Sequence, residues 1–128
     1  MSERINNMQG ESLCNLEYLL VNLGRNRATA ERLIKLFLEN HLVLIQRMEE
    51  ALGSGDVSAL KDALHDIRSS CVLFSGHQCV DLARGFEQAV HDEAGQGNGV
   101  EWNSMAASLS QCMLRMAGEL TSYLEKGV

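Results

Sequence analysis

Proline is absent from the 128 residues, and the aromatic residues are confined to one Trp, two Tyr and three Phe. Without proline nothing in the chain forbids long helices, and so few aromatic side chains give little material for a sheet core. Basic charge is also scarce: 11 Lys and Arg stand against 17 Asp and Glu, for a formal net charge of −6. That balance argues against a nucleic-acid surface, which needs clustered cations to neutralise phosphates. No apolar stretch approaches the roughly 20 residues of a membrane span, and Met1-Ser2-Glu3-Arg4-Ile5-Asn6-Asn7 lacks the basic and then apolar order of a secretory signal. The expected location is the cytoplasm, as a soluble protein or as the cytosolic end of a larger sensor. The four cysteines, Cys14, Cys71, Cys79 and Cys112, show no short paired spacing of a zinc site or dense disulfide framework, and buried reduced thiols are expected.

What remains is 45% apolar residues arranged at helical spacing. Leu13, Leu16, Leu19, Leu20 and Leu23 give a short helix ended by Gly24. A longer one runs over about residues 28–52, capped by Asn26 or Thr29, with Ile34, Phe37, Leu38, His41, Ile45, Met48 and Leu52 on one stripe. Gly53-Ser54-Gly55 breaks it. Asp56 then caps a third helix extending to about Phe74, Ser75-Gly76 forms a turn, and a fourth helix over about 77–93 turns Val80, Leu82, Ala83, Phe86 and Val90 inward. Three glycines fall within residues 94–99, where a mobile loop is expected. The last helix, over about 101–126, offers Trp102, Met105, Leu109, Cys112, Met113, Met116, Leu120 and Tyr123 to a core. Short loops between long amphipathic helices predict one all-α domain over residues 1–128. Its architecture is an antiparallel four-helix bundle with an extra short N-terminal helix as a lid, behind a flexible lead at residues 1–10.

On a helical wheel Leu60, Leu64, Ile67, Cys71 and Phe74 share one direction, and His65 points about 140° away from it. Lys61, Arg68 and Val72 flank the imidazole on one side, and Asp62 and Ser69 on the other. A neutral imidazole is a nucleophile without help from a base, while Arg68 and Lys61 are placed to balance a phosphoryl group. On its own this setting describes an ordinary solvated histidine better than a reactive one. His41 falls in the core stripe and is expected to be packed, His77 to serve a turn, and His91 to sit near a helix C-terminus. A metal site from His65, His77, Cys79 and Asp81 lacks usual ligand spacing, and none is expected. Cys71 is expected in the core rather than as a nucleophile. Leu36 and Val43 project away from the core stripe, as a docking patch or as surface covered by a neighbouring helix or a second copy.

The run His65-Asp66-Ile67-Arg68-Ser69-Ser70, the turn at Ser75-Gly76, and Cys79, Leu82, Phe86 and Glu87 beyond it resemble the histidine-containing phosphotransfer (HPt) domain of two-component phosphorelays. So do Met48 to Asp56 and Leu60 before it, and the resemblance covers roughly residues 13–93. It departs from the family at two positions: Arg68 stands where Lys is usual, and Ser69 where Gly is common. The resemblance implies a carrier in which His65 is the phosphoacceptor, supported by Arg68, Ser69 and Lys61, with Leu36, Val43, Asp62 and Val72 meeting the partner. It implies receiver domains of a hybrid sensor kinase and of a response regulator as partners, and Mg²⁺ held by the receiver. This chain would bind no cofactor, would work as a monomer, and would be a transfer intermediate rather than an autonomous kinase. The competing readings are a helical module that binds a receiver without being phosphorylated, and a structural bundle that dimerises through Leu36 and Val43.

Overall fold

The computed structural model describes residues 12–93 and 99–127, all helix and connecting turn, with no strand among them. The lead expected over residues 1–10, and residues 94–98 of the expected mobile loop, lie outside the described residues; Gly99 is already helical. Five helices follow in order: α1 Leu16–Asn22, α2 Arg27–Ser54, α3 Val57–Leu73, α4 His77–Asp92 and α5 Gly99–Lys126. Helices α2 to α5 form a closed ring of neighbours, α2 on α3, α3 on α4, α4 on α5 and α5 back on α2, as a four-helix bundle requires.

Local chemistry sets the boundaries. Asn15, Asn26 and Asp56 cap α1, α2 and α3 through their side-chain oxygens, which accept from the N–H of Tyr18, Thr29 and Ala59. Helix α2 ends with Gly55 in the left-handed region at φ 72°, and the Asp56 N–H closes back on Ala51 O at 2.9 Å. Asp56 therefore ends one helix and starts the next, which turns α3 back along α2 over two residues. At the next turn Ser75, not Gly76, takes the left-handed φ of 56°; its N–H reaches Val72 O, and that of Gly76 reaches Cys71 O. Gly76 has an ordinary φ of −79° and is small for a different reason: a Cβ there would lie 2.8 Å from Met116 Sδ.

The core is the one the periodicity predicts. Leu60, Leu64, Ile67, Cys71 and Phe74 of α3 are buried, together with Ile34, Phe37 and Met48 of α2, Val80, Phe86 and Val90 of α4, and Leu109, Met113, Met116 and Leu120 of α5. Leu38, Leu52, Leu82, Met105 and Tyr123 pack on its margin. His41 is buried, bonded through Nδ1 to Leu38 O at 2.8 Å and stacked on Phe37. Helix α1 lies across one end of the bundle. The Asn15 N–H bonds to Phe74 O at 3.0 Å, and the Glu119 carboxylate of α5 accepts from the N–H of Leu13 and Cys14 and from the Ser12 hydroxyl, each at 2.8 Å.

The expectation of four reduced thiols needs correcting. Cys79 of α4 and Cys112 of α5 form a disulfide across the core, with Cα atoms 5.8 Å apart. The wheel places both residues inward but cannot tell that their two stripes meet. Cys14 and Cys71 are free and buried. Removal from water pushes both thiols up to about 12, and the Glu119 carboxylate adds to the effect at Cys14.

Candidate functional site

His65 stands at the middle of α3, on the side away from the core, with 62% of its side chain exposed. The stripe that buries Leu64 and Ile67 holds the helix in this rotation, so packing beneath the imidazole fixes where it points. Its Nδ1 lies 3.6 Å from Asp66 Oδ1, and Nε2 has no partner among the described residues. Asp66 is in turn bonded by Arg47 Nη1 of α2 at 2.8 Å. That bond, reinforced by the neighbouring His65, holds the Asp66 carboxyl below its ordinary range, so it stays ionised beside the ring. A carboxylate near Nδ1 favours the tautomer protonated there and leaves the lone pair on Nε2.

The imidazole rides on a ridge between two grooves of unlike character. Toward α2, Ser69 and Ser70 line a groove with Asn40, Val43, Leu44, Arg47 and Asp66. Toward α4, Lys61 and Arg68 line a cleft with Arg84, Glu87, Gln88 and His91. The predicted supporting residues are thus divided, Ser69 on one side of His65 and Lys61 with Arg68 on the other. Val43 lines the first groove along with Ser69, and Leu36 is exposed two turns earlier on α2. Asp62 lies one turn before His65 and Val72 two turns after it, both exposed, on opposite flanks of the imidazole.

Arg68 is not the free cation that the sequence suggests. Its Nε donates to Glu87 Oε1 at 2.6 Å and its Nη2 to Oε2 at 3.4 Å, with about a quarter of each side chain exposed. The Glu87 bond raises the guanidinium further above its ordinary value. Lys61 and Arg84 make no ion pair among the described residues, so the cleft keeps a cationic rim in a chain of net charge −6. Sequence reasoning also passed over Arg47 and Asp66. Adjacent helical residues do not face one another, so a wheel does not couple Asp66 to His65, and nothing in the sequence pairs it with Arg47, 19 residues away. Among the described residues no three His, Cys, Asp or Glu side chains are grouped to hold a metal ion, and no helix is long and apolar enough to cross a membrane.

Comparison with known proteins places this geometry. The fold is similar to the crystal structure of the HPT domain from the Hpt sensor hybrid histidine kinase from Shewanella, with a TM-score of 0.71 at 15% sequence identity over 89% of this chain and 95% of that one. Likeness at that identity speaks for the fold. No curated protein sequence matches. The family model of the Hpt domain, however, matches residues 32–125, which takes in almost all of the α2–α5 bundle and leaves α1 outside. With that match over most of its length, the chain belongs to the Hpt domain family, the helical phosphotransfer modules that work with receiver domains in two-component signalling.

Proposed function

We propose that this protein is a phosphoryl carrier of a multistep phosphorelay, in which His65 takes the group from the aspartyl phosphate of one receiver domain and gives it to the aspartate of another. The observation that carries the reading is the exposed imidazole at the centre of α3 with Nε2 unpartnered among the described residues, in a chain of this family. In each loading step the P–O bond of the aspartyl phosphate breaks, a carboxylate leaves, and a P–N bond forms to Nε2. The ring then carries its proton on Nδ1 and becomes cationic in character, facing the Asp66 carboxylate. Lys61 and Arg68 neutralise part of the phosphoryl charge, while Ser69 shapes the approach of the partner and offers a hydroxyl to it.

Leu36, Val43, Asp62 and Val72 form the docking surface for the receiver domains, one belonging to a hybrid sensor kinase and one to a response regulator. Mg²⁺ and the acidic pocket that holds it belong to the receiver. The chain works in the cytoplasm as a monomer and as an intermediate rather than an autonomous enzyme. Mixing the protein with a phosphorylated receiver from its own organism is expected to give an acid-labile, alkali-stable label on wild type and none on His65→Gln. Equal behaviour of the two proteins would remove the carrier reading and favour a helical module that binds without being phosphorylated.

A further inference from the structure

The cleft between α3 and α4 is cationic at its rim, yet its one carboxylate among the lining residues, Glu87, is bonded to the cation nearest His65 in sequence. Arg68 follows His65 by three residues, which puts the two Cβ atoms about 5–6 Å apart on one face of α3. From that position the long guanidinium side chain can turn either toward the imidazole or across the cleft to α4. In the unphosphorylated protein it has turned across, with two of its nitrogens on the two Glu87 oxygens. Helix α4 is already held to its neighbours by Phe86 and Val90 and by the Cys79–Cys112 bond, so the pair is not what fastens it.

We propose that Glu87 is a positioning residue that occupies Arg68 while His65 is empty, and that a phosphoryl group on His65 competes for Arg68 and draws it off Glu87. This rests on the carrier reading of His65 and concerns how the loaded and empty states differ. A phosphoryl group brings close to two negative charges and three acceptor oxygens, and a guanidinium binds such a group with paired bonds as readily as it binds a carboxylate. The exchange takes from Glu87 its bonded partner, in the same cleft as the new charge. The carrier therefore holds its phosphoryl group less tightly than a site with a free arginine would. A group that must be passed on is better held by such a contested cation, and Glu87 sets the balance. Lys61 and Arg84 also line the cleft, and neither is in an ion pair among the described residues.

Phosphoramidate is a probe that loads histidine without a receiver: its P–N bond breaks, ammonia leaves, and a new P–N bond forms to the imidazole, so the extent of loading can be read at equilibrium against added ammonium by ³¹P NMR. In wild type the Arg68 Nε–H resonance is expected to move on loading, and Glu87→Gln is expected to raise the loading equilibrium about two- to five-fold, the range of a partly exposed ion pair. Raising the salt concentration should narrow that ratio. An Arg68 resonance that stays in place in loaded wild-type protein would overturn the exchange, whether or not the variant is stable. So would a Glu87→Gln equilibrium equal to or below wild type. If wild type takes no more label from phosphoramidate than His65→Gln, the carrier reading itself fails, and this inference with it.

Discussion

Gly76→Ala tests whether the α3–α4 turn is specified by backbone conformation or by close packing. At φ −79° an alanine is conformationally allowed, and restricting the unfolded chain would on its own stabilise the protein by about 0.4–1 kcal/mol. Against this, the added Cβ would meet Met116 Sδ at 2.8 Å, Met116 Cε at 3.0 Å and Cys71 O at 3.2 Å. Met116 is flexible but fully buried, and Cys71 O is already the acceptor that closes α3, so neither yields freely. Overpacking of this kind costs roughly 1–3 kcal/mol, which leaves a net loss of about 1–2 kcal/mol. For a chain of this length the unfolding entropy converts that to a fall of about 4–7 °C in Tm. Urea and thermal unfolding followed by far-UV circular dichroism measure it. Met116→Ala removes the atoms that clash, so Gly76→Ala should be tolerated better in that background, with a coupling of about 1 kcal/mol in the double-mutant cycle. A Gly76→Ala protein as stable as wild type, or additive effects in the cycle, would refute the packing argument.

Glu119→Ala removes the acceptor of two backbone N–H groups and the Ser12 hydroxyl; it should cost about 1–3 kcal/mol and speed amide exchange at Leu13 and Cys14, and unchanged exchange there would show that α1 is held by other means. Iodoacetamide at pH 8 should label no cysteine of the native protein, two in denaturant, and four in denaturant with reductant; four without reductant would exclude the Cys79–Cys112 bond. Because Cys14 and Cys71 are raised from 9.0 to about 12, their contribution is complete below pH 9 and is lost as pH rises from 9 toward 12, so unfolding midpoints should fall across that window. Asp66 has the opposite sign: its carboxyl is lowered from 3.8, so its contribution is present above that pH and lost as pH falls through the depressed value. Arg47→Ala should therefore destabilise by less than about 1 kcal/mol at pH 7, the pair being well exposed, and by nothing measurable once Asp66 is protonated.

The elements that set the bundle were legible because each is written locally. Asn26 and Asp56 announce helix starts, Gly24 and Gly55 announce stops, and the stripe through Leu60, Leu64, Ile67, Cys71 and Phe74 gives the rotation of α3 and hence the outward direction of His65. What escaped depends on two helices at once. Pairing Cys79 with Cys112 needs the relative height and rotation of α4 and α5, which no single wheel contains. Arg47 with Asp66 and Arg68 with Glu87 depend in addition on which way a long side chain turns once its neighbours are in place. Gly76 is a subtler case. Its presence at a turn suggests a left-handed residue, but Ser75 takes that conformation, and the reason for glycine lies in a methionine 40 residues later.

The two arginine–carboxylate pairs act together on α3. Arg47 ties it to α2 through Asp66, one residue after the imidazole, and Glu87 ties it to α4 through Arg68, three residues after. They pull on opposite flanks of the same helical turn, like stays on either side of a mast. Rolling α3 about its axis in one sense stretches the first tether, and rolling it in the other stretches the second. The buried stripe sets the azimuth of the imidazole, and the two pairs brace it from opposite sides while its tip stays open to solvent. If Arg68 lets go of Glu87, the tether to α2 remains and the buried stripe of α3 still sets the direction of the ring.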